Sequence, residues 1–312
     1  MMTVPIYKFF ITKLIRTIAK LVAFMVLVGF SYSISASPEA DSPLSTYVYW
    51  QGEASEGRKP FESELMRLIF HLSEEKYGPA RLEISQWKIS SKRSIQLMRE
   101  GEKLHIQNAP FLLQEMDREA IVALPTPILN NLLGYRQLII RKSDQNAFAQ
   151  ISNFESFLKM EAGQGRGWAD LLVYRANGIP VLEAPSFNGM FPMLLGKRFD
   201  YIPLGVSEAR ETLEHRSSNE LTIAEDLIIF YPWPVHILVS KKHPDLISRI
   251  QYGLAKAQTN GEYDILFNKH FGHIIERIEN TEAKVILLNT PNLQEDVPTI
   301  PTLIQNPKYL NN

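Results

Sequence analysis

Five consecutive residues, Gly163-Gln164-Gly165-Arg166-Gly167, form a glycine cluster directly before a predicted helix that begins at Trp168. Free backbone N–H groups at a helix start carry partial positive charge, so a small anion can dock there. Glycines let a ligand approach the backbone, and the Arg166 guanidinium would add a bidentate donor. The spacing matches neither the dinucleotide-binding fingerprint nor a phosphate-binding loop with its lysine. Two interpretations stay open, an anion contact and an ordinary glycine-rich turn.

Aromatic side chains and one arginine form a second set of candidates. Tyr49, Trp50 and Trp168 are expected at strand ends or turns, where aromatic rings either line a ligand cleft or fill core. Arg118 precedes an apolar run at 120–124. It is interpreted either as a ligand contact or as a solvated or locally paired arginine.

Residues suited to metal binding or catalysis form no complete pattern. His270, His273 and Glu276 lie three residues apart; a metal site needs further partners, and the spacing also fits a solvated helix end. The Ser85 to Lys88 stretch matches S-x-x-K without its companion motifs, and no nucleophile elbow or zinc-protease motif occurs. We therefore expect no catalytic residue, no metal and no cofactor.

Composition restricts the class of protein. The chain has 312 residues, of which 45% are hydrophobic and 21% are charged, and it has no Cys. This composition predicts a folded globular protein and excludes a disulfide scaffold, a thiol nucleophile and a Cys-ligated zinc. A net charge of −1 gives no basic face for nucleic acid.

Residues 1–36 have the composition of a signal peptide. They contain four Lys or Arg and no acidic residue, followed by an apolar run at 21–30 and small residues ending at Ala36. We expect cleavage near Ala36; an uncleaved membrane anchor is the alternative. Removing four of the 33 positive residues leaves 29 against 34 acidic ones, a net charge of −5. A mature chain with neither Cys nor an anchor is expected in a closed compartment, the periplasm.

Hydrophobic periodicity predicts alternating strands and helices. Proline-rich interruptions near 125 and 233 favour two lobes joined by hinges over the alternative, a single (β/α)8 barrel. Strands are predicted at 47–49, 81–84, 104–106, 135–141, 181–182, 201–204, 227–230, 235–239 and 285–288. Helices are predicted from Pro60 to the stop at Gly78 and at 90–100, 154–160, 168–176, 187–195, 206–214, 244–259 and 263–270.

Three stretches in order, at 167–170, 175–181 and 195–201, together with pieces of the closing helices at 253–254 and 260–263, resemble one family. The family is the periplasmic solute-binding proteins of family 3, which serve amino-acid ABC importers, and the resemblance covers Tyr47 to Ile278. It implies an α/β, two-lobed periplasmic-binding-protein fold of type II, in which each lobe is a mixed sheet flanked by helices and two hinge crossings join the lobes. The expected divisions are a signal peptide at 1–36, lobe 1 at 45–132 plus 238–290, lobe 2 at 133–237, and a tail at 291–312.

The resemblance carries site residues over only in part. It implies that Arg118 grips a ligand carboxylate, although the Thr usual five residues earlier is Leu113 here. The family's ammonium-binding Asp is replaced by Gly205, for which Glu208 could substitute. An ordinary α-amino acid would therefore lose its main anchor, and a polar or anionic solute is expected. The complete set of expected ligand contacts is Tyr49, Trp50, Arg118, Gln164, Gly165, Arg166, Trp168 and Glu208.

The leading hypothesis is a periplasmic solute-binding protein, expected to be a monomer, that closes on a small-molecule ligand and delivers it to a membrane permease for ABC-type uptake. An alternative keeps the fold but makes the closed form a signal for a membrane sensor protein. A third hypothesis is an enzyme on the same scaffold, which would need a catalytic constellation in the cleft.

Overall fold

The computed structural model describes residues 44–52, 57–110, 117–216, 218–291 and 301–311. The predictions for the signal peptide and for Leu113 lie outside these ranges. The strands are β1 (Thr46–Trp50), β2 (Arg81–Ser85), β3 (Ile106–Pro110), β4 (Ile121–Ala123), β5 (Tyr135–Arg141), β6 (Ala162–Gly165), β7 (Val181–Ala184), β8 (Tyr201–Gly205), β9 (Leu221–Phe230), β10 (Val235–Ser240), β11 (Lys284–Leu287) and β12 (Lys308–Tyr309). The helices are α1 (Lys59–Tyr77), α2 (Ser91–Glu100), α3 (Gln145–Ala149), α4 (Phe154–Phe157), α5 (Asp170–Ala176), α6 (Phe187–Leu195), α7 (Ala209–Arg216), α8 (Pro244–Thr259) and α9 (Glu262–Glu279).

The first lobe is built on a five-stranded sheet with the order β2-β1-β3-β10-β4. β1 runs parallel to β2 and β3, whereas β10 is antiparallel to β3 and β4. Pro60 stands in the first turn of α1, where its missing N–H costs nothing, and Gly78 ends the helix at φ +70°. The helices α8 and α9 pack against α1. The sheet is therefore mixed and flanked by helices, as expected.

The second lobe is built on a seven-stranded sheet with the order β12-β11-β9-β5-β8-β6-β7. β5 is antiparallel to β8 and β9, and β6 is parallel to β7 and β8. Two separate mixed sheets exclude the closed parallel barrel that the alternation also allowed.

The chain crosses between the sheets at 124–134, after β4, and again at 231–234, after β9. The two crossings are bonded to each other, because the Asn131 side-chain oxygen accepts a 2.6 Å hydrogen bond from the backbone N–H of Trp233. A Cβ on Gly134 would lie 2.3 Å from the carbonyl oxygen of Tyr231, so only glycine allows this close approach.

The C-terminal region departs from the expected lobe boundaries. Residues 284–287 fall inside the range assigned to lobe 1, yet β11 pairs parallel with β9 of the second sheet, and β12 in the expected tail pairs with β11. The buried run Val285–Leu288 thereby covers the edge of β9, which would otherwise expose unpaired backbone groups. The chain therefore enters the second sheet once more after α9; the other boundaries stay predictions.

Candidate functional site

Tyr49 and Trp50 lie at the carboxyl end of β1 and are buried rather than exposed to a cleft. The Tyr49 hydroxyl donates to Glu62 Oε2 at 3.0 Å and accepts from Asn108 Nδ2 at 2.7 Å. Trp50 Nε1 donates to the Trp87 carbonyl at 2.9 Å. In the arrangement described, Tyr49 positions a carboxylate, and the expectation that these two rings line the ligand cleft stays a prediction.

That carboxylate, Glu62, is fully buried in the first turn of α1. Its Oε2 also receives Asn108 Nδ2 at 3.3 Å, and Arg58 Nε lies 3.5 Å from Oε1. Burial raises the pKa of Glu62 above its ordinary value of 4.5; Arg58, Tyr49 and Asn108 oppose that rise, and Glu208 adds to it. The sequence analysis missed this residue, although Glu62 falls on the apolar stripe of α1 with Leu65 and Ile69, which was the available signal.

Glu208 approaches the same region from the second lobe. It immediately precedes α7, its backbone N–H donates to the Gly205 carbonyl at 2.8 Å, and its carboxylate lies beside Gly205. A Cβ on Gly57, just before α1, would lie 3.0 Å from the Ser207 carbonyl oxygen. The segment that leads into α1 therefore contacts the turn that leads into α7, and Glu208 is near enough to Glu62 to add to the rise of its pKa.

A shallow depression lies where the two lobes meet. It is lined by Arg58 and Ser207 from the two lobes, by Leu129, Leu132 and Leu133 of the first crossing, and by Phe271. It measures about 150 Å³ including open solvent and has no enclosed room even for a water-sized molecule, so it cannot hold a solute as it stands.

The glycine cluster is mostly a buried strand and not the loop that was expected, because β6 extends to Gly165 and α5 begins only at Asp170. A Cβ on Gly163 would lie 2.3 Å from the Phe199 ring, and one on Gly165 would lie 2.3 Å from the Trp168 ring. Because these two residues lack a side chain, the aromatic rings can pack directly on the strand. The interpretation as an ordinary glycine-rich turn is therefore wrong for 163–165, which form a strand, and the anion contact stays a prediction.

The other candidate residues in and next to the glycine cluster lie in different environments. Arg166 is exposed and its backbone N–H donates to the Ala184 carbonyl at 2.9 Å. Trp168 is half-buried, with its ring centroid 6.2 Å from that of Phe187. Gln164 is fully buried, and neither polar atom of its side chain has a hydrogen-bond partner among the described residues. The cluster therefore does not present one anion-binding surface.

A buried ion pair lies beside Gly205, which pairs with Arg136 across β5 and β8. Arg136 Nη2 is 3.0 Å from Asp170 Oδ2, and the Tyr231 hydroxyl donates to the same oxygen at 2.8 Å. Burial alone would lower the pKa of Arg136, but Asp170, then Tyr231, then Glu208 raise it above its ordinary value, so the guanidinium stays charged. Arg136 was not among the residues expected in the site; the sequence predicted only the strand at 135–141 that contains it.

Arg118 lies in the turn before β4 and is exposed. Its carbonyl accepts a 2.6 Å hydrogen bond from Lys241 Nζ, at the end of the sheet where Ile121 pairs with Ser240. The crossing to the second lobe leaves from the opposite end, where Val235 pairs with Pro110. The structure therefore does not bring Arg118 to Glu62 and Glu208, contrary to the expectation carried over from the family.

The described residues show neither a metal centre nor a membrane span. No three His, Cys, Asp or Glu side chains within the described ranges converge as metal ligands. His270 lies inside α9 rather than at its end, with Nε2 3.4 Å from Glu64 Oε1. No helix in the part of the chain that the structure covers is long and apolar enough to cross a membrane.

Comparison with solved structures identifies the fold. An ancestral arginine-binding protein bound to glutamine is 18% identical, with a TM-score of 0.52 over 74% of this chain and 100% of that one. An amino acid ABC transporter substrate-binding protein from Streptococcus pneumoniae, bound to L-arginine, is 11% identical, with a TM-score of 0.52 over 73% and 94%. A mutant of ArgBP from T. maritima is 17% identical, with a TM-score of 0.50 over 73% and 96%. No family model and no curated protein matches the chain. The chain has the two-lobed fold of the type II periplasmic binding proteins, and the resemblance seen in the sequence is confirmed at the level of the fold.

Proposed function

We propose that the protein is a periplasmic solute-binding protein that closes its two lobes on a small polar solute and delivers it to an ABC-type permease. One observation carries the proposal: the start of α1 in one lobe and the start of α7 in the other bring the buried Arg58 and Glu62 and the half-buried Glu208 to the face where the lobes meet. Ligand sites are commonly apolar clefts with a few convergent polar groups of this kind.

The described arrangement corresponds to the closed form. Because the depression where the lobes meet has no room for a solute, solute entry requires the lobes to separate about the crossings at 124–134 and 231–234. A solute that contacts both lobes then stabilises the closed form by its differential affinity for the two states. Such binding requires no catalytic group, in keeping with structural neighbours that are binding proteins.

A screen of the protein without residues 1–36 tests the proposal. Amino acids, amines, carboxylates and sugars are compared by thermal shift, and each hit is followed by calorimetry and small-angle scattering. We expect at least one solute to raise the melting temperature in a saturable way and to reduce the radius of gyration. A complete screen without any saturable binding would contradict the proposal.

Export is part of the proposal. Protein recovered from the periplasmic fraction should begin at about Ser37 when its N-terminus is determined by mass spectrometry, because the segment before it has the composition of a signal peptide. Recovery of the intact chain from membranes would instead favour the anchor.

A further inference from the structure

The proposed site contains hydrogen-bond acceptors that no described residue satisfies. Glu62 Oε1 and Asn108 Oδ1 are both buried and have no hydrogen-bond donor within the described part of the chain, although their partner atoms Glu62 Oε2 and Asn108 Nδ2 are bonded. A buried acceptor without a donor costs about 1–3 kcal/mol, and a carboxylate oxygen costs more. Arg58 Nε, 3.5 Å from Glu62 Oε1, is itself a buried donor without an acceptor, so these three residues leave two buried acceptors and one buried donor unbonded among the described residues.

The charged side chains of the site also carry an excess of negative charge. Three carboxylates, those of Glu62, Glu208 and Asp170, lie near two guanidiniums, those of Arg58 and Arg136. Arg136 is bound to Asp170 at 3.0 Å, and the effect of Glu208 on it is weaker than that of Asp170. Of these two guanidiniums, Arg58 is left for the carboxylates of Glu62 and Glu208. One negative charge at the closed face is therefore uncompensated by these side chains.

The same geometry disfavours binding of an anionic solute. Arg118 is at the far end of the first sheet, Arg166 is exposed beyond β6, and Arg136 is already neutralised. An added anion would meet Glu62 and Glu208 with only Arg58 to attract it, and like charges at short range disfavour one another strongly in a water-poor site.

Gly205 keeps the Glu208 carboxylate accessible from this face. A Cβ at position 205 would lie 3.4 Å from Glu208 Cδ and 3.2 Å from Leu133 Cδ1, so any side chain there would cover the carboxylate. Gly205 thus stands where the resemblance implies an Asp, and it leaves the nearby carboxylate of Glu208 uncovered.

We propose that the solute of this cleft is an organic cation, an amine or a guanidine that needs no carboxylate of its own, with its cationic group held between Glu62 of the first lobe and Glu208 of the second. The inference rests on the proposed function. The cationic N–H groups donate to Glu62 Oε1, Asn108 Oδ1 and the Glu208 carboxylate, and they neutralise the charge excess when the lobes close. Because each lobe supplies one carboxylate, the cation also stabilises closure itself.

A matched series of four-carbon probes tests the charge requirement. Calorimetry compares 1,4-diaminobutane, 1,4-butanediol and succinate, with agmatine and arginine as a second pair that differs only in the carboxylate. We expect saturable binding of the diamine or of agmatine, no binding of the diol or of succinate, and affinity for agmatine at least equal to that for arginine.

Three variants test the residues. Glu208→Gln should weaken binding of the best cation by about 10- to 150-fold, the loss expected for one charge-assisted hydrogen bond, and Glu62→Gln should do the same. Glu214→Gln, on the exposed face of α7, makes the same change in net charge and should leave affinity within twofold. Glu208 is only half-buried, so its variant should fold even if that of Glu62 does not.

The outcomes separate the two proposals. Binding of succinate, of the diol or of another uncharged or anionic solute while the cations do not bind overturns this inference and leaves the proposed function standing. Equal losses in Glu214→Gln and Glu208→Gln also overturn it, because they indicate a general charge effect. Absence of binding across the whole solute screen overturns the proposed function, and this inference with it.

Discussion

Arg136 Nη2 and Asp170 Oδ2 lie 3.0 Å apart in a buried ion pair, and the hydroxyl of Tyr231 donates to the same oxygen. Tyr231 belongs to the second crossing, whereas Arg136 and Asp170 belong to β5 and α5. The Arg136 guanidinium also lies 5.1 Å from the centre of the Tyr231 ring. The pair therefore fixes one end of the second crossing to the second lobe.

Asp170→Asn should destabilise the protein by about 3–5 kcal/mol, because it leaves the Arg136 charge buried without its counter-charge. Replacing both partners, Arg136→Leu with Asp170→Leu, should cost less than this single change, since no uncompensated charge remains. Urea unfolding curves measure both effects. The surface variant Glu282→Gln, whose pair with Lys308 is exposed, should stay within about 0.5 kcal/mol of the wild type. A double variant less stable than Asp170→Asn would contradict this explanation.

Gly163→Ala should destabilise the protein by about 1–3 kcal/mol, because the added Cβ would lie 2.3 Å from the Phe199 ring in a packed core. Gly272→Ala is the matched control: position 272 is inside α9, the nearest contact of a new Cβ is an ordinary 3.8 Å, and alanine favours a helix over glycine by about 1 kcal/mol. Thermal unfolding should therefore shift in opposite directions for the two variants. A neutral Gly163→Ala would show that the cluster is not constrained by aromatic packing and would favour its interpretation as an anion contact.

Glu62→Gln should make the protein more stable at pH 7. The pKa of Glu62 is raised in the folded state, so its favourable contribution is complete below its ordinary value of 4.5 and is lost as the pH rises through the raised value. The variant does not titrate, and its advantage in free energy of unfolding should shrink to zero as the pH falls below about 4.5. Besides Glu62, the groups that face it are Tyr49 on β1, Asn108 on β3, Arg58 and Glu208. Melting temperatures of both proteins between pH 4 and pH 7 measure the difference, and a constant difference over this range would count against a raised pKa.

The same change should abolish tight cation binding, so Glu62→Gln is expected to gain stability and lose affinity. A buried group that costs stability and serves binding is a common arrangement at functional sites. The opposite pattern, lower stability with unchanged affinity, would indicate a purely structural role for Glu62.

Local sequence signals were sufficient for most individual elements. β5 and α8 have the predicted bounds, and α2 begins after the Ser90 cap and ends at Gly101 with φ +69°, since these features depend on a few adjacent residues. The strand β6 was missed because Gly163 and Gly165 contribute no side chains to an alternating pattern. Its existence depends on rings from Trp168 and Phe199 that pack over those glycines.

The site depended on contacts that local patterns do not report. Glu62 joins the proposed site only because α1 meets Tyr49 of β1 and Asn108 of β3, which are 13 and 46 positions away in the sequence. The pairing of β11 with β9 is similarly non-local: the apolar run at 285–288 predicts a strand but not its partner. Glu208 was identified because the missing Asp at Gly205 directed attention to the nearest carboxylate.

Arg118→Ala should leave the affinity for the best cation within twofold and the melting temperature within about one or two degrees. Arg118 is exposed in the turn before β4, at the end of the sheet opposite to the crossings, so its side chain is remote from Glu62 and Glu208. The family resemblance implies instead that this arginine grips the ligand and that its removal costs about 10- to 150-fold. Calorimetric affinities of Arg118→Ala and Glu208→Gln for the best cation decide between these two expectations. A tenfold loss in Arg118→Ala with no loss in Glu208→Gln would place the ligand against β4 and would refute the site between the lobes.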